Sequence, residues 1–327
     1  MAGDQGRHFV RSAVAGTLAL LWAASPAAGQ AVFQDRRMPY DAFDALPRTR
    51  VEVPGGTLWV GFAEGQFALP QEAILAWVGR SARAVAGYYG RFPVASARVL
   101  IVPGAGRGVS QGQAWGHRGA AIRVVVGRDA TAPALAGDWI MVHEMIHLAL
   151  PRMPRRHDWL SEGLASYVEP IARAQAGGLS DAAVWSEFAR NMDKGLPGPG
   201  DGGLDQTRSW GRIYWGGAMF CLIADIEIRK LTGNRLGLQH AMRGVLAAGG
   251  SHEAEWTIGQ VLDAADAAIG ADVLGRLHRE HGERPVRPDL DALWRALGVR
   301  IDSDSMILDD GAPLAAIRRA ITRPVDP

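Results

Sequence analysis

A chain of 327 residues, 48% apolar and 21% charged, can bury a sizeable core, and its length fits about two domains. Lysine plus arginine number 35 against 34 for aspartate plus glutamate, so no net field draws the chain to nucleic acid or an anionic membrane, and neither is expected as a partner. The single cysteine, Cys221, excludes an intrachain disulfide and reads as a small apolar residue inside a helix.

At the N-terminus, Arg7 and Arg11 precede an apolar run from about Ala13 to Ala24, followed by Ser25, Pro26 and small residues. That is the pattern of a secretory signal over 1–30, with cleavage near residues 28–31. The run is short for a bilayer span, and no cysteine stands where a lipid anchor needs one. The mature chain is therefore expected in the periplasm or secreted, with no stable membrane association after cleavage. Retention of the segment as an anchor is the alternative.

Next, "RVEVPGGTLWVGF" reads as a hairpin around Pro-Gly-Gly. Ile74, Val78, Ala82, Val85 and Tyr88 recur at helical spacing between Pro70 and Gly90. "ARVLIVPG" and "AAIRVVVG" are short β-branched runs closed by glycine. The second is either a sheet edge on which an extended peptide pairs, or a strand buried in the sheet. From Asp138 the pattern turns helical. It is interrupted by the glycine- and proline-rich loop 191–209 and resumes in a long apolar helix from about Gly211 to Thr232. Two further helical patterns and a strand, turn and helix close the chain. The expected class is α+β: a β-rich lobe with one helix over 31–130, a helical lobe over 131–250 and a C-terminal helical region over 251–327.

The chemistry concentrates in "DWIMVHEMIHLAL". Residues i and i+4 share a helix face, so His143 and His147 can present their imidazoles to one ion, with Glu144 one step round to act on a water without ligating the metal. The pattern needs a third ligand, and "HDWLSEGLASYVEP" offers one. Asp158 is read as the N-cap of a second helix that places Glu162 near its start, 15 residues beyond His147. Two histidines, one glutamate and an open fourth position form the ligand set of a hydrolytic zinc site, with one Zn2+ per chain expected. His157 is the alternative third ligand. Glu169, two turns past Glu162, either holds the spare ring NH of a ligand histidine or is a solvated surface residue. His240, His252, His278 and His281 lack ligand spacing and are expected at the surface or in caps.

These two motifs resemble the gluzincin metallopeptidases, in particular the aminopeptidase N and glycyl aminopeptidase families. "IYWGGAMFCLIADIEIRKLTG" is similar to the glycyl aminopeptidase helix that opens with a tyrosine and glycine. The resemblance covers about residues 70 to 250. It implies a thermolysin-like zincin catalytic unit, a peptide or protein substrate, Glu144 as general base and Tyr214 as the oxyanion donor. His117, Arg123, His157 and Arg212 are the weaker candidates for that role, and without the resemblance Tyr214 would read as a core aromatic. In aminopeptidase N a strand glutamate binds the substrate's amine. The strand matched to it here has Ile122 in that place, followed by Arg123, so these two are the candidate substrate-binding residues and exopeptidase specificity is not carried over. Two other readings stay open: a silent zincin-fold binding module, and a zinc hydrolase of a non-peptide amide or ester.

Overall fold

The computed structural model of the chain describes residues 32–33, 35–303 and 305–324, and the segment read as a secretory signal lies outside them. Arg48–Val53 (β1) and Gly56–Phe62 (β2) form the expected antiparallel hairpin. Helix Gln71–Tyr89, numbered α2 after the short Tyr40–Asp44 (α1), begins after Pro70 and stops at left-handed Gly90. It crosses over to Ser96–Gly104 (β3), which runs parallel to β2. Val109–Trp115 (β4) and Ala121–Gly127 (β5) follow, and the sheet order is β1-β2-β3-β5-β4.

That order decides between the two readings of "AAIRVVVG" in favour of the strand buried in the sheet. β5 lies inside the sheet, parallel to β3 and antiparallel to β4, and the edge is β4, "VSQGQAW". The sequence conceals this strand because its edge is blunted by polar and glycine residues and carries no apolar alternation.

The sheet has two covered faces. Val99, Ile101, Ile122, Val124 and Val126 join the main core with residues of α2 and of Ile140–His147 (α4, after the short α3, Ala132–Ala136). Leu100, Val102 and Ala121 pack instead under Phe33, Met38, Tyr40 and Phe43 of the N-terminal segment. Beyond the sheet the chain is mainly helical: Asp158–Gln175 (α5), Asp181–Asn191 (α6), Gly217–Leu231 (α7) and Leu238–Ala247 (α8). Ile258–Ile269 (α9), Leu274–His281 (α10) and Leu290–Leu297 (α11) follow, then the hairpin Val299–Asp302 (β6) with Ser305–Leu308 (β7), and Ala315–Thr322 (α12). One buried apolar cluster runs from Val53 to Ile321, so the last third shares the core of the first two. The molecule combines a small sheet with a helical region. Among the described residues no helix is long and apolar enough to cross a membrane.

Two helices cross at glycine. A Cβ on Gly163 of α5 would lie 2.3 Å from the Gly217 backbone, and one on Gly217 would lie 1.9 Å from the Trp159 carbonyl oxygen. Any side chain at either position forces α5 and α7 apart. Gly163→Ala should unfold about 1–3 kcal/mol more easily in a denaturant titration, because overpacked cores lose stability on that scale. An unchanged midpoint would mean that the two helices separate without cost.

Candidate metal centre

The site is assembled from α4, α5, α7 and β4. At the start of α4 two free backbone N–H groups are satisfied by Asp138, whose carboxylate accepts from Ile140 N at 3.1 Å and Met141 N at 3.0 Å. The helix then carries His143, Glu144 and His147 as buried residues. The imidazole rings of His143 and His147 lie 4.9 Å apart in edge-to-face geometry, as i, i+4 spacing requires.

Glu162 arrives from α5. The helix starts at Asp158 after a 3-10 turn, Arg155–His157, so His157 rather than Asp158 holds the N-cap position, and Asp158 faces the cavity instead. Glu162 Oε2 lies 3.2 Å from His143 Nε2 and 3.5 Å from His147 Nε2. One ligand atom from each of the three residues falls within 4.8 Å of the others, a group that can hold a metal ion. His147 Nδ1 donates to Ser161 Oγ at 3.1 Å, which leaves Nε2 free to ligate. Glu169 meets neither of the two readings offered for it, ring partner or solvated surface residue: it is 2% exposed and accepts from Arg173 Nη1 at 2.9 Å. The residue that does hold a ligand ring, Ser161, stood beside Glu162 in the sequence.

Charge follows from burial and pairing. Burial pushes Glu144 up to about 7 and lowers His143. Burial works against a charge on His147, but Glu162 outweighs it and raises the imidazole to about 9. Burial likewise opposes ionisation of Glu162, and the two imidazoles overcome it and hold the carboxylate well below its ordinary range. The metal-free site thus keeps an ionised carboxylate against a protonated histidine, and the donor set of two nitrogens and one carboxylate fits a divalent cation.

Tyr214 joins this group. The long helix expected from about Gly211 opens with a π-helical segment, Arg212–Gly216, before α7. Such single-turn bulges are frequent at functional sites. The Tyr214 ring stacks at 6.1 Å and 11° on His143, and burial together with the Glu162 carboxylate keeps its phenol protonated far above neutral pH. A cavity of about 390 Å³ is lined by Gly112, Gln113 and Ala114 of β4 with His143, Glu144, His147, Glu162, Tyr214 and His252. Gly112 is required there, because its Cβ would lie 2.6 Å from Glu144 Cγ.

Several expected positions lie elsewhere. Ile122 lies on the same sheet face as Ala114 but is fully buried in the core of an inner strand and does not line the cavity. Arg123 is buried on the opposite sheet face. Arg212 is buried and donates to the Gly195 and Gly202 carbonyls, and exposed His117 packs edge-on against Tyr40. His252 reverses the expectation of a surface or cap residue. It lines the cavity, its Nδ1 faces the Leu150 carbonyl at 3.3 Å, and burial lowers it to about 4, so it is a neutral acceptor at Nε2. Its distance along the chain from the motifs left no signal to find it. His240 does cap, accepting from Gly237 N at 3.0 Å, and Cys221 is buried and free.

A second group, His157, Asp205 and His278, also brings ligand atoms together. Asp205 accepts from His157 Nδ1 at 3.0 Å, Trp159 Nε1 at 2.9 Å and His278 Nε2 at 2.9 Å. Arg156 Nε donates to the other nitrogen of His157 at 2.9 Å. With both ring nitrogens of His157 engaged and a guanidinium alongside, the cluster is a clamp holding loop 191–209 to α5 and α10. Burial opposes the Asp205 charge, and the donors from His278 and Trp159 overcome it, holding the carboxyl at about 2.

No protein-family profile matches the chain, and no curated protein does. Solved structures do. A crystal structure of an aminopeptidase N family protein from Idiomarina loihiensis superposes with a TM-score of 0.58 at 15% identity, covering 80% of this chain and 51% of that one. A variant of a two-domain M1 zinc metallopeptidase bound to L-arginine gives 0.51 at 17% identity, covering 75% and 53%. The fold is that of the gluzincin metallopeptidases. This gluzincin-like chain spans about half the length of the solved structures it matches.

Proposed function

We propose that the chain is a zinc-dependent peptidase acting on peptide or protein substrates outside the cytoplasm. The observation that carries this is the convergence of His143, His147 and Glu162 in one cavity whose wall also presents Glu144 and Tyr214. Its neighbours in fold are zinc metallopeptidases, and the signal-like first thirty residues support export.

His143, His147 and Glu162 would hold one zinc and leave a coordination position for water or substrate. The chemistry a bound zinc supplies is polarisation of the scissile carbonyl and acidification of the attacking water. Glu144 accepts the proton of that water and delivers it to the leaving amine nitrogen, so the peptide bond is cut without a covalent acyl-enzyme. Tyr214 donates to the oxygen on which charge develops. The free edge of β4 pairs with the extended substrate backbone. Gly112, Gln113 and Ala114 offer no carboxylate to a substrate's amine, so the amine-binding device of aminopeptidase N is not carried over.

The purified chain should contain about one zinc, and His143→Ala combined with His147→Ala should remove it. Because His147 holds a proton in the metal-free site, zinc uptake at pH 7 should release about one proton into a weakly buffered indicator solution. Full zinc occupancy in the double variant would sink the assignment. Digestion of a peptide library by wild type and by Glu144→Gln separates the peptidase from its rivals. A binding module cuts nothing, and a hydrolase of other amides or esters leaves peptides intact.

A further inference from the structure

Strand alternation gives β4 two unlike sides. Gly112 pairs with Val124 and lies against Glu144, on the metal side. Gln113 pairs with Arg123 and lies on the other side, the face that the N-terminal segment covers at Leu100, Val102 and Ala121. Behind the strand is a separate cavity of about 230 Å³, lined by Arg36, Gln111, Gly112, Gln113 and Arg123. Gly112 and Gln113 line both cavities, so the second begins where the catalytic cleft ends.

This second cavity is basic, with two arginines and no carboxylate among its lining residues. Arg123 is 6% exposed; its Nη2 donates to the Phe33 carbonyl at 3.0 Å, and among the described residues its Nε has no partner. Among the described residues neither Arg123 nor Arg36 has a carboxylate within ion-pair distance. Asp35 acts on Arg123 only at longer range and accepts from the Arg37 amide at 3.2 Å. A buried guanidinium without a counter-charge is costly, and a carboxylate is the ligand whose geometry matches its fork.

Building on the peptidase function proposed for the same cleft, we infer that the cavity behind β4 is a subsite for an acidic side chain of the substrate. A peptide paired along the edge of β4 turns alternate side chains to opposite sides of the sheet. Those on the Gly112 side meet the metal centre. The side chain that turns to the Gln113 side enters the basic cavity, where Arg123 and Arg36 supply the charge and Gln111 and Gln113 supply amide donors. The resulting specificity is for a glutamate or aspartate at one position next to the scissile bond.

The test uses zinc-loaded Glu144→Gln protein, so that peptides bind without being cut. A neutral peptide is scanned with a single glutamate, and each variant is compared by calorimetry with its glutamine counterpart. One position should bind glutamate about tenfold more tightly than glutamine, as a charge-assisted pair warrants. In Arg123→Gln that ratio should collapse to near one. Arg36→Ala, a change at an exposed position, should reduce the ratio without loss of fold, and serves if Arg123→Gln melts early. Equal binding of glutamate and glutamine at every position, binding of neither, or a ratio that survives both substitutions would overturn the subsite. Failure of the peptidase function is read separately, as absence of cleavage by wild type of every peptide in the scan, acidic and neutral alike. Acid-selective binding would stand without it, and cleavage without acid selectivity would remove the subsite alone.

Discussion

Glu144→Gln is expected to keep its zinc and lose turnover by about 10² to 10⁴-fold, the range that a positioned general base contributes. The carboxylate is not among the three converging ligand groups, so the amide should leave metal content unchanged. What the amide cannot do is accept a proton. In the metal-free chain burial raises Glu144 to about 7, so its carboxyl takes up a proton far more readily than an exposed glutamate does. Its position is fixed from below, since Gly112 leaves its side chain just enough room.

The same residue leaves a trace on stability. In the metal-free chain, burial keeps Glu144 protonated up to about 7 and Glu169 up to about 8, and Glu162 keeps His147 protonated up to about 9 against the effect of burial. Each folded-state value lies above its unfolded one, so the folded chain holds protons that the unfolded chain has released. Stability from these groups is full below about pH 4.5 for the two glutamates and 6.5 for the histidine. It is lost as pH climbs through the raised values. The buried histidines whose values are lowered, His252 above all, work in the opposite sense, so the test is the difference: between pH 5 and pH 8 metal-free wild type should lose stability relative to Glu144→Gln. Identical slopes, or normal turnover with stoichiometric zinc, would show that Glu144 is neither buried as an acid nor the base.

The parts of the site that lie close together in sequence were legible there, and the parts assembled by tertiary contact were not. His143, Glu144 and His147 are set by helix period alone, and Glu162 by the next helix start, so their convergence needed no knowledge of the sheet. The hairpin, α2 and the apolar α7 were likewise readable from period, proline and glycine. β4 was invisible because an edge strand beside a cleft has no reason to alternate apolar residues, and its absence made β5 look like the edge. That single omission misplaced Ile122 as a substrate contact and hid Gly112 and Gln113. His252 and Asp205 were missed for another reason. Each acts through partners far along the chain, Leu150 for the first, and His278 and Trp159 for the second. Glu169 failed because its helix face was judged without its neighbour Arg173, four residues on, which takes the carboxylate for itself.

Tyr214→Phe should lower turnover by about a hundredfold to a thousandfold, the scale for losing one preorganised donor to an oxyanion. The ring stays, and with it the stacking on His143 and the contact at 5.3 Å with Trp210. Only the hydroxyl is removed. Its proton is secure, because burial and the Glu162 carboxylate both disfavour a phenolate, so it can only donate as negative charge grows on substrate oxygen. Since that bond strengthens as charge develops, kcat should fall while KM changes little. A core aromatic would answer differently. Loss of a hydroxyl that merely satisfied Glu162 should leave turnover within a fewfold and lower stability by about 1 kcal/mol. The measurement is kcat, KM and melting temperature on one preparation with zinc content confirmed. His252 cannot inherit the role, because its proton sits on Nδ1 against Leu150 and its Nε2 is an acceptor. Arg212 and His157 are committed to other partners. Near-normal turnover in Tyr214→Phe would therefore shift that task to the Gln113 amide, which also lines the cavity, or to the backbone N–H groups of β4.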